Sequence, residues 1–366
     1  RYIAVTGVQT CALPISIKAD VCVIGGGGSG GVGAALAAAR MGADVVLVER
    51  NQLLGGTSTN AWVHTWEPSR GGGGIPKDIW DVMTADPCGC TQKDYAGGAP
   101  RQGGHWLTWE PWAFQHAVTR LLEDTGHCRV FYGATFVDAA MDGRHMDAVR
   151  CVFAGRMCTI QAPVFIDCTA DGNVCVAAGC DYRLGEDPKR LFNEPNAPDE
   201  PSDALNGMTL FYRITDTGEK QAPFLPDGVR EGACPRPAAL RACPNGALPV
   251  HPRNLIRGNA ADLDSLTPVM PPAYGLVYEH VRWMQRERGY ETWTLAGVAP
   301  EIGVRETRRI VGEYMLTEHD CQQGVAEQPH NDIIAITDHA VDIHGAKHML
   351  YEGPNGAYGV PFRCLL

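Results

Sequence analysis

The residues best suited to chemistry form a glycine-rich cluster near the start of the chain. Of the nineteen uncharged residues from Val21 to Ala39, seven are glycine, namely Gly25, Gly26, Gly27, Gly28, Gly30, Gly31 and Gly33. A membrane-spanning helix would not carry helix breakers at its centre, so no membrane span is predicted here. A glycine turn before a helix brings backbone N–H groups close to phosphate oxygens. The cluster therefore predicts a phosphate-bearing ligand.

The elements around this cluster form a βαβ unit. The pattern predicts a buried strand at Asp20–Ile24, a helix that ends near Met41-Gly42 and a second buried strand at Asp44–Val48. A Gly-x-Gly-x-x-Gly turn and an acidic residue about twenty positions later are typical of dinucleotide binding. Glu49 is that acid, and its carboxylate could accept hydrogen bonds from a ribose diol.

The register of the glycine motif is open. Counting from the strand selects Gly25, Gly27 and Gly30, whereas counting back from the helix selects Gly26, Gly28 and Gly31. One glycine more than the motif needs is present. In either register the first glycine permits the tight turn, the second admits the pyrophosphate and the third allows close helix packing.

Arginines and histidines in the second half of the chain are further candidates. Arg305, Arg308 and Arg309 would share one face if their segment were helical, either as an anion anchor or in ion pairs with Glu301, Glu306 and Glu313. His344 belongs to a string with His339 and His348 whose spacing does not favour a metal site. Its imidazole is either a proton donor or acceptor or a hydrogen-bonded loop residue. His64, between Trp62 and Trp66, is either catalytic or a packing residue.

The remaining elements follow from periodicity and turn residues. A helix is predicted at Trp109–Thr125, and short alternating strands run from Arg129 to Ile166 as a β-meander with turns at Gly133, Asp142-Gly143 and Ala154-Gly155. Fourteen of the 25 prolines lie between Glu186 and Pro272, which indicates irregular loops around a strand-like Met208–Ile214. A helix at Tyr274–Arg288 follows.

Five separated segments resemble a known family. The sequence is similar to FAD-dependent oxidoreductases of the glutathione-reductase-like fold in residues 49–62 (with the Gly55-Gly56 pair), 165–172 (Phe-Ile-Asp-Cys-Thr-Ala-Asp-Gly), 303–312, 342–344 and 358–363. At Cys168 and Ala170 the second segment differs from the residues that are most common in the family. The resemblance covers the chain from Ile17 to its end and says almost nothing about substrate.

The resemblance implies FAD as cofactor and hydride transfer between a small organic substrate and the flavin N5. An unidentified electron donor or acceptor completes the cycle. Among the three arginines, the resemblance favours Arg305 as the anchor for a substrate carboxylate or a polarised carbonyl. Together with the glycine motif it predicts that FAD is held by Gly25, Gly26, Gly27, Gly28, Ser29, Gly30, Gly31, Glu49, Arg50, Gly55, Gly56, Thr57, Ser58, Thr169, Ala170, Asp171 and Gly172. The predicted catalytic residues are Arg305, His344 and His64.

The composition limits the classes of partner and metal site that this protein is expected to have. The 366 residues contain 31 Lys+Arg against 42 Asp+Glu, and the net charge of −11 disfavours nucleic acid and anionic membrane surfaces. None of the 14 cysteines forms a Cys-x-x-Cys pair, which argues against zinc-ribbon and iron–sulfur frameworks and for a reduced, cytoplasmic protein.

The expected fold class is α/β: a Rossmann-like FAD-binding domain with a parallel sheet and a β-meander, plus an inserted α+β cap or substrate region. We expect residues 1–16 to be a non-native tail, since Val5–Ser16 resembles a translated sequencing adaptor. We then expect the FAD-binding domain at 17–185, the cap at 186–350 and the return to the FAD domain at 351–366. The family continues with a further Gly-Arg turn and helix, so we expect a fragment that holds FAD weakly.

Three alternatives remain at this stage. A nicotinamide-dependent Rossmann dehydrogenase shares the βαβ unit but gives no reason for Gly55-Gly56 or Asp171-Gly172. A flavin enzyme with non-redox chemistry, such as carbohydrate lysis, would keep the same cofactor site. A pure binding protein would not be reduced by any small donor.

Overall fold

The computed structural model describes residues 15–28, 30–63, 65–66, 73–90, 107–229, 231–232, 238–239, 242–251, 256–287, 289–337, 341–344, 348–351 and 357–366. Its strands are β1 (Ile15–Lys18), β2 (Val21–Ile24), β3 (Val45–Glu49), β4 (Thr65–Trp66), β5 (Leu107–Thr108), β6 (Cys128–Tyr132), β7 (Thr135–Asp142), β8 (His145–Phe153), β9 (Arg156–Gln161), β10 (Val164–Asp167), β11 (Tyr182–Arg183), β12 (Tyr212–Asp216), β13 (Ala238–Ala239), β14 (Leu248–His251), β15 (Trp293–Val298), β16 (Arg309–Ile310), β17 (Ile333–Thr337), β18 (Val341–His344), β19 (His348–Tyr351) and β20 (Tyr358–Pro361).

The α-helices are α1 (Gly30–Arg40), α2 (Ile75–Ala85), α3 (Pro111–Thr125), α4 (Asn173–Ala177), α5 (Lys189–Phe192), α6 (Leu263–Leu266), α7 (Met270–Arg286) and α8 (Glu318–Gln323). Short 3₁₀ helices occupy Gly56–Ser58, Thr267–Val269 and Phe362–Leu365. Among the described helices, none is long and apolar enough to cross a membrane.

A parallel four-stranded sheet forms the centre of the first half of the chain. Its spatial order is β10-β2-β3-β6, and all neighbouring strands are parallel. Every residue of β3 is buried, as expected for a parallel sheet covered on both faces. The predicted strands and the helix between them are confirmed to within one or two residues at each end.

The two faces of this sheet bury alternate residues. Val23, Val45 and Leu47 pack with α1, α2 and α3 in one apolar core. Cys22, Ile24, Val46 and Val48 pack with Val149 and Ile160 of a second sheet in another core. This alternation is the period-two pattern of a strand.

The second sheet, ordered β1-β9-β8-β7, contains the predicted β-meander as β7, β8 and β9. The strands at the two ends of the predicted range, β6 and β10, pair with β3 and β2 and belong to the parallel sheet instead. The predicted turns at Gly143 and Gly155 join its antiparallel strands, and the one at Gly133 connects β6 to β7; all three glycines have positive φ. β1 joins it parallel to β9 and begins at Ile15, two residues before the expected start of the fold.

A third sheet, ordered β13-β14-β12-β15, packs against α7 and forms a separate apolar core. β12 begins at Tyr212 rather than at the expected Met208, because Met208 and Thr209 make single bridges to Ile256 and Gly303 instead of a ladder. The helix expected at Tyr274–Arg288 is α7, which starts four residues earlier with a proline in its first turn.

The arginine segment is not helical. β16 starts at Arg309 and pairs with β11, so the helical face that would unite Arg305, Arg308 and Arg309 does not form. Tertiary contacts hold the segment instead, because the Glu306 carboxylate accepts a hydrogen bond from the Asn206 N–H at 3.0 Å and the Thr307 hydroxyl donates to Asp171 Oδ1 at 2.7 Å.

Candidate functional site

The glycine turn lies at the carboxyl ends of β2, β3 and β10. Gly25 has φ +100°, and its N–H donates to Val48 O at 2.8 Å. A Cβ at Gly25 would lie 2.2 Å from Cys168 O, and one at Gly31 would lie 1.8 Å from Gly25 O. Gly25 and Gly31 are therefore the turn glycine and the helix-packing glycine. They are six residues apart, and neither of the two registers considered from the sequence has this spacing.

The glycines between them differ in the space in front of them. A Cβ at Gly26 would meet Leu54 Cδ2 at 2.5 Å, and one at Gly28 would meet Gly55 O at 2.9 Å. At Gly27 and Gly30 the nearest atoms, both of Cys168, are 3.9 and 3.8 Å away. Gly30 begins α1, whose first turn has no acidic residue. This open space before a positive helix end suits an anion.

The Gly55-Gly56 pair closes against this turn. The Gly55 N–H donates to Gly26 O at 2.8 Å, and a Cβ at Gly56 would lie 3.1 Å from Gly27 Cα. Both glycines have positive φ, at +110° and +51°. The structure thus brings together two glycine segments that the sequence separates by about thirty residues.

Glu49 is buried beneath the turn, with 4% of its surface exposed. Its Oε2 accepts the Gly26 N–H at 2.8 Å and its Oε1 accepts the Asn51 N–H at 2.7 Å. Burial raises the pKa of this carboxyl, and the two backbone donors oppose that rise. The carboxylate therefore shapes the glycine turn itself.

The turn after β10 is organised by Asp167, which the sequence analysis did not single out. Its Oδ1 accepts from the Thr169 N–H and hydroxyl at 2.9 and 2.7 Å, and its Oδ2 accepts from the N–H groups of Val174 and Cys175 at 2.8 and 2.9 Å. An acid at the end of a strand, directly before a turn and a short helix, is the signal that could have found it.

The same turn contacts the arginine segment. Ala170 and Gly172 have positive φ, and a Cβ at Gly172 would lie 2.5 Å from Ile310 Cδ1. Arg308 Nη1 donates to Asp171 O at 3.1 Å and to Asn173 Oδ1 at 2.9 Å. Segments around residues 25–28, 30–31, 49, 55–58, 167–172 and 307–310 therefore form one assembly.

Comparison with known proteins decides the cofactor. Residues 20–366 match the sequence profile described as FAD dependent oxidoreductase. The chain belongs to the FAD-dependent oxidoreductase family. This membership favours FAD over the nicotinamide alternative and redox over non-redox chemistry. No curated protein matches the sequence.

Solved structures of flavoproteins and related enzymes resemble this FAD-dependent oxidoreductase. A geranylgeranyl bacteriochlorophyll reductase-like protein from Thermoplasma acidophilum has 13% identity and TM-score 0.45, covering 83% of this chain and 68% of its own. The myxobacterial chondrochloren halogenase CndH has 16% identity and TM-score 0.46, with coverages of 82% and 66%. The flavin-dependent monooxygenase PieE has 14% identity and TM-score 0.47, and the chain spans 52% of its length.

The residues present in this oxidoreductase fit FAD. Gly27 and Gly30 leave room in front of α1 that a Cβ would fill. Glu49 lies at the end of β3, next to the turn. Among the remaining predicted cofactor residues, Arg50 pairs with Glu301 at 3.4 Å, Thr57 is exposed and Ser58 is half-buried. Ser29 lies outside the described residues.

The structure describes two of the three predicted catalytic residues of the oxidoreductase. Arg305 is exposed and lies five residues after the loop Ala299-Pro300, in the segment between β15 and β16. The backbone of His344 pairs with that of His348 in the β18–β19 ladder. His64 lies outside the described residues. Arg309 is a structural residue, since it pairs with Glu306 at 2.5 Å, as the ion-pair interpretation predicts, and with Asp187 at 3.1 Å.

Sequence reasoning missed one buried ion pair of this enzyme. Arg213 Nη1 donates to Glu110 Oε2 at 2.7 Å, with side chains 11% and 5% exposed. The two residues are 103 positions apart, and neither belongs to a motif. No local signal could have joined them.

Proposed function

We propose that this enzyme transfers a hydride between a small organic substrate and the N5 atom of FAD, with the cofactor at the glycine assembly. The observation that carries the proposal is the open space before Gly27 and Gly30, opposite the Gly55-Gly56 pair. When bound, FAD supplies a two-electron hydride acceptor or donor.

The residues of the chain divide the work of binding. Gly27 lets the backbone approach the pyrophosphate, and the N-terminus of α1 favours its negative charge. Glu49 has spare lone pairs for the ribose diol beyond those used by Gly26 and Asn51. The turn Thr169–Gly172, held by Asp167, supports the cofactor from β10.

On the substrate side we propose Arg305 as the anchor for an anionic or polarised group and His344 and His64 as proton donors or acceptors. The exposure of Arg305 and its place in a segment that resembles the family support this role. Arg305→Lys should impair turnover because an ammonium cannot reproduce a bidentate fork.

We further propose the glutathione-reductase-like arrangement, with an FAD domain at 17–185, a cap at 186–350 and a return at 351–366. Its support is that the parallel-sheet cores contain residues up to Val174, whereas the third core is centred on residues 208–299. A cytoplasmic location and a diffusible small-molecule substrate complete the proposal. The free thiols of the described cysteines are compatible with it.

Alanine substitutions in the glycine turn test the cofactor site. Gly27→Ala should leave the fold intact, because nothing lies within 3.9 Å of the new Cβ, but should weaken FAD binding roughly tenfold or more. The matched control is Gly33→Ala, which also meets nothing within 4 Å and lies in α1. It should bind FAD normally and be more stable by about 0.5–1 kcal/mol. Equal FAD affinity of both variants would remove the pyrophosphate from Gly27.

Anaerobic reduction tests the reaction. The protein saturated with added FAD should show the absorption spectrum of bound flavin, and a panel of alcohols, amines and carboxylic acids should include a donor that bleaches it. A chromophore that no donor reduces, in a protein that still turns over a sugar substrate, would favour non-redox chemistry.

A further inference from the structure

A buried contact joins the two halves of the molecule near the glycine assembly. Glu110 immediately precedes α3, which packs on the parallel sheet, and Arg213 belongs to β12 of the third sheet. Their side chains meet at 2.7 Å and are almost fully buried. Removing both charges from water costs free energy that an exposed ion pair would not lose. We therefore attribute to this pair a specific geometry rather than a large gain in stability.

The guanidinium of Arg213 also covers Trp62. Its Cζ lies 5.1 Å from the centre of the indole, within the range of a cation–π contact. Gly297 is the cross-strand neighbour of Arg213, and a Cβ there would lie 3.0 Å from Trp62 Cη2. The indole therefore rests on the sheet across these two neighbours, and any side chain at position 297 would press on it.

Trp62 has an unusual backbone conformation. Its φ is +56°, in the left-handed region that bulky residues avoid. Such a conformation persists only where the surroundings over-determine it. Here the surroundings include the guanidinium of Arg213, the bare backbone of Gly297 and the third apolar core, against which Trp62 packs.

Trp62 is connected to the Gly55-Gly56 pair through the next residue in the chain. The next residue, Val63, donates its N–H to Thr57 O at 2.9 Å and so closes the loop from Thr57 to Val63. Thr57 follows Gly56 directly, and Gly56 packs on Gly27. A shift of the indole would therefore move the segment that leaves the glycine pair.

We propose that Arg213 is a positioning residue for the flavin site: oriented by Glu110, its guanidinium holds Trp62 in the left-handed conformation and thereby sets the path of residues 57–63 beside the cofactor. The FAD part of this inference rests on the proposed function.

The first test examines the hold on Trp62 without cofactor. The chain is labelled with 5-fluorotryptophan, and the resonance of Trp62 among the eight tryptophans is assigned by its loss in Trp62→Phe. Arg213→Lys keeps a positive charge for Glu110 but loses the planar stack. It should shift the ¹⁹F resonance of Trp62 in the FAD-free protein. An unchanged resonance overturns the proposal.

The second test measures FAD affinity in a double-mutant cycle. Arg213→Lys should raise the Kd for FAD about tenfold in the wild-type background and hardly at all in Trp62→Gly, because glycine needs no support at positive φ. Equal losses in the two backgrounds overturn the positioning role. If Arg213→Lys does not fold, Glu110→Gln takes its place and should act in the same direction with smaller effects.

A matched control separates positioning from stability. Val149→Ala removes buried side-chain volume on β8, in a core distinct from the one against which Trp62 packs. It should lower the Tm while leaving the Trp62 resonance and the Kd for FAD unchanged. If Gly27→Ala also fails to weaken FAD binding, the cofactor assignment fails. If Gly27→Ala behaves as expected but Arg213→Lys does not, only the positioning role fails.

Discussion

At the scale of single residues, Glu49 shows how one side chain serves both fold and site. The sequence predicts that its carboxylate binds a ribose diol. In the structure its two oxygens accept the Gly26 and Asn51 N–H groups beneath the glycine turn. An alanine would leave these donors without their acceptor, so truncation affects the turn as well as the cofactor.

Two substitutions separate these roles. Glu49→Ala should lower the free energy of unfolding of the FAD-free protein by about 1–3 kcal/mol, because a buried donor is left unsatisfied. Glu49→Gln retains one oxygen acceptor and should keep most of that stability, yet bind FAD about tenfold more weakly through loss of the charge-assisted bond. Urea unfolding and FAD titration give the two quantities. Normal FAD affinity in Glu49→Gln would exclude Glu49 from the cofactor site.

The buried carboxyl also predicts a pH dependence. Because burial raises the folded-state pKa of Glu49, its contribution to stability is fully present below about 4.5 and is lost as pH rises through the folded-state pKa. As pH rises through this window, the unfolding free energy of the wild type should therefore fall relative to that of Glu49→Gln. A constant difference from pH 4 to pH 8 would contradict the raised pKa.

At the scale of elements, helix α7 buries a titratable group against the third sheet. His280 is fully buried, and its ring centre lies 6.2 Å from that of Tyr212. Burial lowers its pKa from 6.5 to about 4, because the charged imidazolium is poorly solvated there. The helix is thus docked through a neutral histidine.

His280 should make the third core sensitive to acid. A depressed folded-state pKa contributes stability that is present above pH 6.5 and is lost as pH falls towards 4, roughly 3 kcal/mol in all. His280→Phe should flatten this part of the stability curve, as measured by urea unfolding at several pH values. An equally steep acid loss in the variant would assign it to other groups.

At the scale of the whole molecule, the turn after β10 is tied to the distant strand β16. Thr307 donates to Asp171 Oδ1 at 2.7 Å, and Arg308 donates to Asp171 O at 3.1 Å while its guanidinium lies 5.5 Å from the ring centre of Tyr182. Residues more than 130 positions apart therefore set the geometry of a predicted cofactor turn.

This tie gives Arg308 a structural role at the turn. Arg308→Lys removes a stacked guanidinium whose Nη1 donates to Asp171 O and Asn173 Oδ1, and it should cost roughly 1–2 kcal/mol of stability. Arg305→Lys, at an exposed position, should leave the unfolding midpoint unchanged and reduce turnover only. The comparison needs urea unfolding of both variants; equal midpoints would show that Arg308 does not support the turn.

The local elements could be predicted because their signals lie within short windows. Strands β2 and β3, helix α1 and the meander turns follow from apolar periodicity and from glycines at positive-φ positions. The fold class and the FAD family followed from the order of these elements and from five motif segments. Helices α3 and α7 could also be predicted: α3 begins two residues later than expected and ends where expected, and α7 begins four residues earlier and ends two residues earlier.

Only the tertiary structure decided which residues meet. The glycine register depended on the 1.8 Å approach of a Gly31 Cβ to Gly25 O, and the fate of the three arginines depended on Asp171, Asp187 and Glu306. The Glu110–Arg213 pair under Trp62 joins two elements that share no periodicity. The sequence by itself determined where strands, helices and turns form, because their signals are local. Contacts between distant residues depend on how the sheets pack, and no local pattern encodes that.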